Sequence, residues 1–477
     1  MKPFRYIYFL GIGGIGMSAL ARWFQASGQQ VSGYDKTPTP LTDALQAEGI
    51  VVHFEDQGAA SLPEEVRQHK AQTLVVLTPA IPADHQEWAW LVQQGYDIRK
   101  RSQVLGVLTQ GQPTIAVAGT HGKTTTSSMV AHLLHHAGVP CAAFLGGIAV
   151  NLGSNLLLPP VPQPGQPTPL IVVEADEYDR SFLTLHPTIA IVTSTDADHL
   201  DIYGDQAALI ESFRQFVSQI QPGGTLLLNH IADASVAAAA PAGVRVLRYG
   251  LSAEQGPDLY ADNITTQGHR FHFDLHGSAG AVPNLELAVP GYHNVENMLA
   301  AAAASQLAGG VENAQLAAAV AAYRGVKRRF EFIVTSPDKV YVDDYAHHPR
   351  EIEAFLRSLR ALYPGKKLRV IFQPHLFTRT RDFAPGFAES LSLADEVVLL
   401  DIYPAREKPL PGVTSAIILN QITAPQKSLQ TKAEVLEAAA HDADYDVLAT
   451  VGAGDIDTLV PELRALLTAR WRQNTLL

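Results

Sequence analysis

The segment Gly119-Thr120-His121-Gly122-Lys123-Thr124-Thr125-Thr126 has the residue types of a phosphate-binding loop. It follows the apolar run Thr114–Ala118 and precedes a helix-like run over residues 128–137. In a strand–loop–helix arrangement, loop N–H groups and the helix N-terminus face the phosphates, the lysine reaches the outer phosphates, and a hydroxyl ligates Mg²⁺. The segment therefore predicts nucleotide triphosphate binding, although Val117 stands where the common motif has its first glycine.

Acidic side chains follow two later strand-like runs of the same region. Glu174 opens an acidic cluster over residues 174–179, directly after an apolar run over 171–173. A carboxylate at a strand end beside a phosphate loop supplies the hard oxygen that Mg²⁺ prefers. His199 lies among three aspartates after the apolar run at 189–193. We expect Glu174 to bind a metal ion and His199 to have a functional role.

A second glycine loop lies near the start of the chain. Residues 11–16 fit GxGxxG between a strand-like and a helix-like run, and Asp35 ends the next strand about 20 residues further on. Alone, this fingerprint predicts a diphosphate at a helix N-terminus and leaves open NAD(P), FAD, another diphosphate or a structural turn. A redox enzyme has no need of a Lys-Thr phosphate loop, so the two loops together indicate ATP chemistry on a diphosphate-bearing substrate.

The elements that must position these residues alternate along the chain. Strands are expected at Tyr6–Leu10, Gln30–Tyr34 and Thr73–Leu77, then near 114, 170, 189 and 225, with a β-rich stretch over 230–290. A third alternating region has strands near 340, 369, 396 and 446, and helices at Pro349–Leu362 and over residues 383–393. We predict three consecutive α/β domains: a Rossmann-like domain (1–111), a central P-loop ATPase-like domain (112–324) and a Rossmann-like C-terminal domain (325–477).

Composition narrows the class of protein. The 477 residues are 47% hydrophobic and carry a net charge of −12, which argues against general affinity for nucleic acid or an anionic membrane. The single cysteine, Cys141, excludes an internal disulfide. Neither a signal-peptide pattern nor a long apolar segment is evident, so a cytoplasmic location is expected.

Six motifs occur in an order that resembles the Mur ligases, and the resemblance spans nearly the whole chain. They are residues 119–124, 174–177, 198–201, 293–297, 329–331 and 344–349. Within that family, residues 11–18 and 372–382 are similar to the group that adds the first amino acid of the peptidoglycan stem peptide.

This resemblance implies an ATP-dependent amide ligase that joins L-alanine to UDP-N-acetylmuramate through an acyl phosphate. It also implies Mg²⁺, as two ions that Mn²⁺ can replace, and a monomer or weak homodimer. The glycine loop is then reassigned to the UDP-sugar diphosphate. Its implied contacts are Gly11, Gly13, Gly14, Ile15, Gly16, Met17, Ser18 and Asp35.

The resemblance further assigns roles in the central and last domains. Lys123, His199, Arg329, Asp344 and His347 would be catalytic, and Thr124, Glu174 and His199 would hold metal. ATP would contact Gly119, Thr120, His121, Gly122, Lys123, Thr124, Thr125, His293, Asn294, Asn297, Arg329 and Asp344. Because these residues belong to two predicted domains, domain closure would complete the site.

The amino-acid pocket would be formed by Tyr345, His347, His375 and Arg379. Leu376 departs from the family, where this position is often arginine, so Arg379 or Arg381 would bind the alanine carboxylate. No lysine occurs from Thr124 to Val326, which excludes the carbamylated metal-bridging lysine of some Mur ligases.

Other readings remain open from the sequence. A recycling ligase that attaches a preformed tripeptide would share both loops, and folylpolyglutamate synthetase is a cousin that the N-terminal diphosphate loop disfavours. An NAD(P)-dependent oxidoreductase explains residues 11–16 alone. A non-catalytic nucleotide-binding regulator leaves the set of Lys123, Glu174 and Arg329 without purpose.

Overall fold

The computed structural model describes residues 4–160, 168–196, 200–268, 270–277, 280–405, 407–441 and 444–473. Three β-sheets follow one another along the chain, each with helices between its strands. The architecture is a three-domain α/β fold, as the alternation of apolar runs predicts.

The first sheet has five parallel strands in the order β3-β2-β1-β4-β5. All five residues of β1 are buried, which suits the central strand of a doubly wound sheet. Its strands are β1 (Tyr6–Leu10), β2 (Gln30–Tyr34), β3 (Val51–His53), β4 (Thr73–Leu77) and β5 (Asp97–Lys100). Its helices are α1 (Ile15–Ala26), α2 (Pro40–Ala47), α3 (Glu64–Gln68), α4 (Gln86–Gln93) and α5 (Arg101–Thr109).

The second sheet has the order β15-β14-β13-β12-β11-β10-β6-β9-β7-β8. Its strands are β6 (Thr114–Ala118), β7 (Cys141–Ala149), β8 (Ser154–Leu157), β9 (Leu170–Glu174), β10 (Ile189–Val192), β11 (Thr225–Asn229), β12 (Arg245–Gly250), β13 (Leu259–Gln267), β14 (Arg270–Gly277) and β15 (Gly280–Leu287). Its helices are α6 (Lys123–His136), α7 (Leu200–Tyr203), α8 (Gln206–Ser218), α9 (Tyr292–Leu307) and α10 (Asn313–Ala322). The parallel strands β6, β9 and β10 are adjacent, so their carboxyl ends meet at one edge.

The third sheet has the order β16-β17-β21-β18-β19-β20, and only β16 pairs antiparallel. Its strands are β16 (Glu331–Thr335), β17 (Val340–Asp344), β18 (Leu368–Phe372), β19 (Glu396–Leu399), β20 (Gln426–Leu429) and β21 (Val447–Val451). Its helices are α11 (Pro349–Leu362), α12 (Phe377–Leu391), α13 (Ala416–Leu419), α14 (Lys432–His441) and α15 (Val460–Gln473). Helix α12 begins six residues before the predicted start at residue 383.

The chain divides into two compact units. The first comprises Met1–Asp262, Asp274–Leu285 and Glu296–Tyr323, and the second comprises Asn263–Phe273, Glu286–Val295 and Arg324–Leu477. The first sheet therefore shares a unit with most of the central domain, and one apolar core runs through both.

The lone thiol, Cys141, lies in the core of the first unit at the start of β7. It is 2% exposed, and burial raises the pKa of the thiol to about 12. No helix among the described residues is both long enough and apolar enough to cross a bilayer.

Candidate active site

The phosphate loop closely approaches the residues that directly follow β10. Gly119 has φ +137°, and a Cβ there would lie 2.0 Å from Thr193 Oγ1. Gly122 precedes α6 with φ +81°, a left-handed conformation that favours glycine. Both glycines are therefore required by the backbone, and helix α6 begins at Lys123 with its N-terminus facing the loop.

Hydroxyl groups hold the same loop in place. Thr120 Oγ1 lies 2.8 Å from Ser194 Oγ, and the His121 N–H donates to Ser194 Oγ at 2.9 Å. The Asp196 N–H in turn donates to Thr120 Oγ1 at 3.1 Å. These bonds fix the loop against the segment that follows β10. The segment continues to His199, the predicted second metal ligand, which lies outside the described residues.

The Lys123 ammonium has a partner that the sequence motif does not name. Its Nζ donates to the Gly119 carbonyl at 2.7 Å and to Glu177 at 2.9 Å, and Glu177 is fully buried. Burial disfavours the ammonium, but Glu177, Asp176 and Glu174 together outweigh it and raise the pKa of Lys123. Lys123 therefore carries its positive charge throughout the neutral range. The signal available in the sequence was the acidic segment 174–179, which holds Glu177.

Glu174 and Thr124 provide oxygen ligands suited to Mg²⁺. Glu174 ends β9 in register with Val117 of β6, just before the phosphate loop, and Thr124 is buried in the first turn of α6. Mg²⁺ takes one or two protein oxygens together with water and substrate phosphates, so this donor set fits it. Among the described ranges there is no cluster of three or more His, Cys, Asp or Glu side chains that would form a metal cage.

The N-terminal glycine loop, which was predicted to bind a diphosphate, joins β1 to α1. Gly11 has φ +88°, and a Cβ there would lie 2.4 Å from Thr78 Cγ2, so the loop closely approaches the end of β4. The Gly13 N–H donates to Asp35 Oδ2 at 2.7 Å. Helix α1 begins at Ile15, which places Gly14, Gly16, Met17 and Ser18 around its first turn. The structure thus brings all eight predicted residues together, and Asp35 supports the loop itself.

Arg101 lies beside this loop and was not among the predicted site residues. A Cβ on Gly16 would lie 2.8 Å from Arg101 Nη1, so the guanidinium covers the start of α1. Arg101 Nη2 lies 3.5 Å from Asp176, and Lys100 Nζ lies 2.8 Å from Asp179. The acidic segment that pairs with Lys123 therefore also contacts Arg101, whose guanidinium lies at the start of α1.

Helix α9 carries the predicted adenine-contacting residues. A Cβ on Gly122 would lie 2.8 Å from Asn297 Oδ1, so this amide borders the phosphate loop. Asn294 Nδ2 donates to the Pro290 carbonyl at 2.7 Å, which ties the helix start to the preceding turn. Burial lowers the pKa of His293 to about 4, so its imidazole is neutral at physiological pH and can both donate and accept.

In the second unit, the Arg329 guanidinium affects the pKa of Asp344. Asp344 accepts from the N–H groups of Phe330 and Ala346, each at 2.7 Å. Burial raises the pKa of Asp344 to about 6, and Arg329 opposes that shift. Arg329 also lowers the pKa of His293, so three residues of the predicted ATP set share one neighbourhood.

The aromatic rings of three residues of the predicted amino-acid pocket lie close to one another. The Tyr345 and His347 rings lie 5.4 Å apart, and His347 and His375 lie 6.2 Å apart. The Arg329 guanidinium lies 5.0 Å from the Tyr345 ring, a cation–π contact. His347 Nδ1 also lies 3.4 Å from Glu351, which the motif did not identify.

The two arginines that were predicted as candidates to bind the alanine carboxylate differ in burial. Arg379 is 9% exposed in the first turn of α12, whereas Arg381 is more than half exposed and binds Asp382 at 2.7 Å. Leu376 is 8% exposed with φ +67°, and its N–H donates to the Tyr403 carbonyl. Arg379 is therefore the buried arginine of the two, and Leu376 is buried as well.

Three family models match consecutive parts of the chain. The Mur ligase family catalytic domain matches residues 6–112, the Mur ligase middle domain matches 117–305, and the Mur ligase glutamate ligase domain matches 328–455.

Whole-length relatives agree with these matches. The chain is 48% identical to a UDP-N-acetylmuramate–L-alanine ligase of Phocaeicola vulgatus, covering 98% of this chain and 100% of the relative. It is 46% identical to the ligase of the same name from Cytophaga hutchinsonii, covering 98% and 97%. The crystal structure of the UDP-N-acetylmuramate–alanine ligase of Thermotoga maritima aligns with TM-score 0.79 at 26% identity over 98% and 99% of the two chains. The chain belongs to the Mur ligase family.

Proposed function

We propose that this protein is an ATP-dependent ligase that joins L-alanine to the lactyl carboxylate of UDP-N-acetylmuramate. The observation that carries the proposal is the pairing of two phosphate loops in one compact unit, one headed by Lys123 and the other by Gly11. A nucleoside triphosphate and a nucleotide-sugar diphosphate then have separate sites. The names of the full-length relatives supply the identity of the substrates.

The reaction balances in two steps. The carboxylate oxygen attacks the γ-phosphorus of ATP. The bond between this phosphorus and the oxygen that bridges it to the β-phosphate breaks, and ADP leaves. The alanine amine then attacks the acyl carbon, loses a proton, and the tetrahedral intermediate expels inorganic phosphate. Both reactants of the first step are anions, so cations and N–H dipoles must offset their repulsion.

The residues of the first unit supply that compensation. Lys123 and the loop N–H groups would hold the β- and γ-phosphates, with Gly119 and Gly122 allowing the backbone to approach. Thr124 and Glu174 would hold Mg²⁺, which when bound neutralises phosphate charge. His199 is proposed as the ligand of a second ion, and Mn²⁺ is expected to substitute.

The second unit would contribute the acceptor side. Arg329 is proposed to stabilise phosphate charge, and Asp344 to position it. Tyr345, His347 and His375 would enclose the small alanine side chain, and Arg379 would bind its carboxylate bidentately. His293, Asn294 and Asn297 are proposed to contact adenine.

The first test measures phosphate release from ATP with UDP-N-acetylmuramate, comparing L-alanine with L-alanyl-γ-D-glutamyl-diaminopimelate. Release that requires L-alanine supports the proposal. Release that requires the tripeptide overturns it in favour of a recycling ligase. No release with either would reopen the dinucleotide reading, and bound nicotinamide would then be sought by absorbance.

A control variant checks that the measured release arises at this site. Because Lys123→Ala alone would remove the buried cation with which Glu177 forms an ion pair, the control is the double variant Lys123→Ala, Glu177→Gln. It should fold and lose turnover by at least about 100-fold. Retention of normal turnover would remove Lys123 from the ATP site.

The proposal also includes a cytoplasmic protein that is a monomer or weak homodimer. Its nucleotide substrates are cytoplasmic metabolites, which supports that location. Size-exclusion chromatography with light scattering would measure the oligomeric state directly.

A further inference from the structure

The hairpin formed by β7 and β8 reaches from the central domain to helix α1 of the first domain, within one compact unit. Asn155 of β8 is completely buried at that contact. A buried amide is costly unless it is hydrogen-bonded, so its partners indicate what it does.

Both the nitrogen and the oxygen of the Asn155 amide form hydrogen bonds with helix α1. Its Nδ2 donates to the Ile15 carbonyl at 2.5 Å and to Ser18 Oγ at 2.9 Å. Its Oδ1 accepts from Arg22 Nη1 at 2.6 Å, and Arg22 is itself fixed by two bonds of 2.7 Å to Glu48. Arg22 thereby fixes which way the amide faces, and the two donors point at the first turn of α1.

That first turn is the part of the helix that faces the expected diphosphate. Ile15 and Ser18 belong to the predicted UDP-sugar contacts, and α1 begins at Ile15. The attraction of a helix N-terminus for an anion acts within its first turn and depends on the direction of the N–H groups. A small rotation of α1 would therefore weaken diphosphate binding.

The other strand of the hairpin reaches the metal carboxylate. The Gly146 N–H of β7 donates to Glu174 Oε2 at 3.0 Å, and a Cβ at Gly146 would lie 2.2 Å from that oxygen. One hairpin thus contacts Glu174 through its first strand and the start of α1 through its second.

We propose that Asn155 is a positioning residue for the nucleotide-sugar substrate. By holding the first turn of α1 against the β7–β8 hairpin, it orients the diphosphate loop with respect to the Glu174 edge of the central sheet. This inference rests on the proposed function for the identity of the substrate. It predicts a specific loss in binding of that substrate.

The test compares Asn155→Asp with Asn151→Asp. The first replaces the amide by an isosteric carboxylate that keeps Arg22 but cannot donate to Ile15. The second makes the same change on the exposed turn of the same hairpin, where Asn151 Nδ2 donates to the Ala322 carbonyl at 2.8 Å. Arg22→Gln is a third variant, which leaves the buried amide in place but removes the group that orients it.

The readouts are the KM for UDP-N-acetylmuramate, the KM for ATP, and calorimetric binding of UDP-N-acetylmuramate without ATP. For Asn155→Asp the KM and Kd for the sugar nucleotide should rise about tenfold, the loss of roughly one hydrogen bond, with the KM for ATP changed less than about twofold. Arg22→Gln should show a smaller rise in the KM and Kd for the sugar nucleotide, again without a change in the KM for ATP. Asn151→Asp should have the same KM and Kd values as the wild type.

Several results would overturn the inference. Unchanged sugar-nucleotide binding in Asn155→Asp would do so, as would an equal rise in both KM values, which indicates general loosening. If Asn155→Asp does not fold, a normal KM in Arg22→Gln would count against it. A wild-type protein that binds no UDP-N-acetylmuramate would instead refute the proposed function, so the two failures are distinguishable.

Discussion

At the scale of residues, buried charges are the feature that sequence motifs describe least well. The phosphate-loop lysine was evident from its spacing, but its ion pair with the fully buried Glu177 was not. Glu177 stood in a quoted acidic motif whose members all looked alike. Burial separates them, because Asp179 two residues on is partly exposed and pairs with Lys100 at the surface.

This difference predicts unequal stability effects. Glu177→Gln should lower the free energy of unfolding by about 3 kcal/mol, because it leaves a buried ammonium without its main counter-charge. Asp179→Asn, the same chemical change at an exposed pair, should cost under about 1 kcal/mol. Urea unfolding of both variants measures the difference, and equal losses would refute the assignment of Glu177.

Glu296 of α9 gives a pH prediction. Burial raises the pKa of its carboxyl to about 7, partly offset by a hydrogen bond from Asn229, and His230 Nδ1 lies 3.7 Å away. Because the folded pKa lies above the unfolded value, the stabilising contribution of Glu296 is complete below about pH 4.5 and is lost as pH rises through 7.

Replacing this carboxyl by an amide should remove that loss. Between pH 4.5 and 8, the free energy of unfolding of the wild type should decrease by about 2–3 kcal/mol more than that of Glu296→Gln. Glu211→Gln, at an exposed glutamate, should follow the wild-type profile. Denaturant unfolding across that pH range measures it, and parallel profiles for all three proteins would contradict the pKa shift.

At the scale of elements, apolar runs predicted the buried parallel strands closely. Residues 114–118 and 349–362 form the expected strand and helix without adjustment. The edge strand β5, with sequence Asp-Ile-Arg-Lys, was not predicted, because an edge strand needs little apolar surface. The start of helix α12 was predicted too late because its first turns carry polar and charged residues, and Pro385 lies inside it.

The candidate site was predictable where chemistry demands a residue type at a fixed spacing. The glycines, Lys123 and Glu174 are of this kind. Arg101 and Asn155 were not predicted, because each acts through a contact with an element distant in sequence. Only the fold brings those partners together.

The phosphate loop makes a prediction about an element rather than a side chain. Gly119→Ala should cost about 2–4 kcal/mol and weaken ATP binding, because its Cβ would meet Thr193 and Ser194 at a positive φ. Gly111→Ala, also at positive φ but with nothing within 4 Å, should cost about 1 kcal/mol and leave ATP binding unchanged. Thermal unfolding and ADP titration test the pair, and similar effects at both glycines would refute the close approach.

At the scale of the whole molecule, the three α/β domains of the chain form two compact units. The first two sheets share one apolar core, to which Trp23 packs beside Phe144 at a ring distance of 5.3 Å. The C-terminal sheet has its own core, which includes Trp471. Large chains with separate cores commonly unfold in more than one step.

The four tryptophans make these units separately visible. Trp23, Trp88 and Trp90 lie in the first unit and Trp471 in the second. UDP-N-acetylmuramate at 100 times its Kd should stabilise the transition seen in Trp471→Phe by about 2.7 kcal/mol. In a variant that retains only Trp471, the unfolding transition should not shift when this ligand is added. Coincident transitions that shift together would show that the molecule unfolds as one unit.

The burial of Cys141 has a practical consequence for following the molecule in solution. A thiol that is 2% exposed, with a pKa of about 12, forms almost no thiolate at neutral pH and will not react with maleimides while the protein is folded. A cysteine introduced at Val150, which is 41% exposed beyond the end of β7, would then be the sole labelled position. A fluorophore there would give an optical signal for sugar-nucleotide binding from the hairpin that holds Asn155.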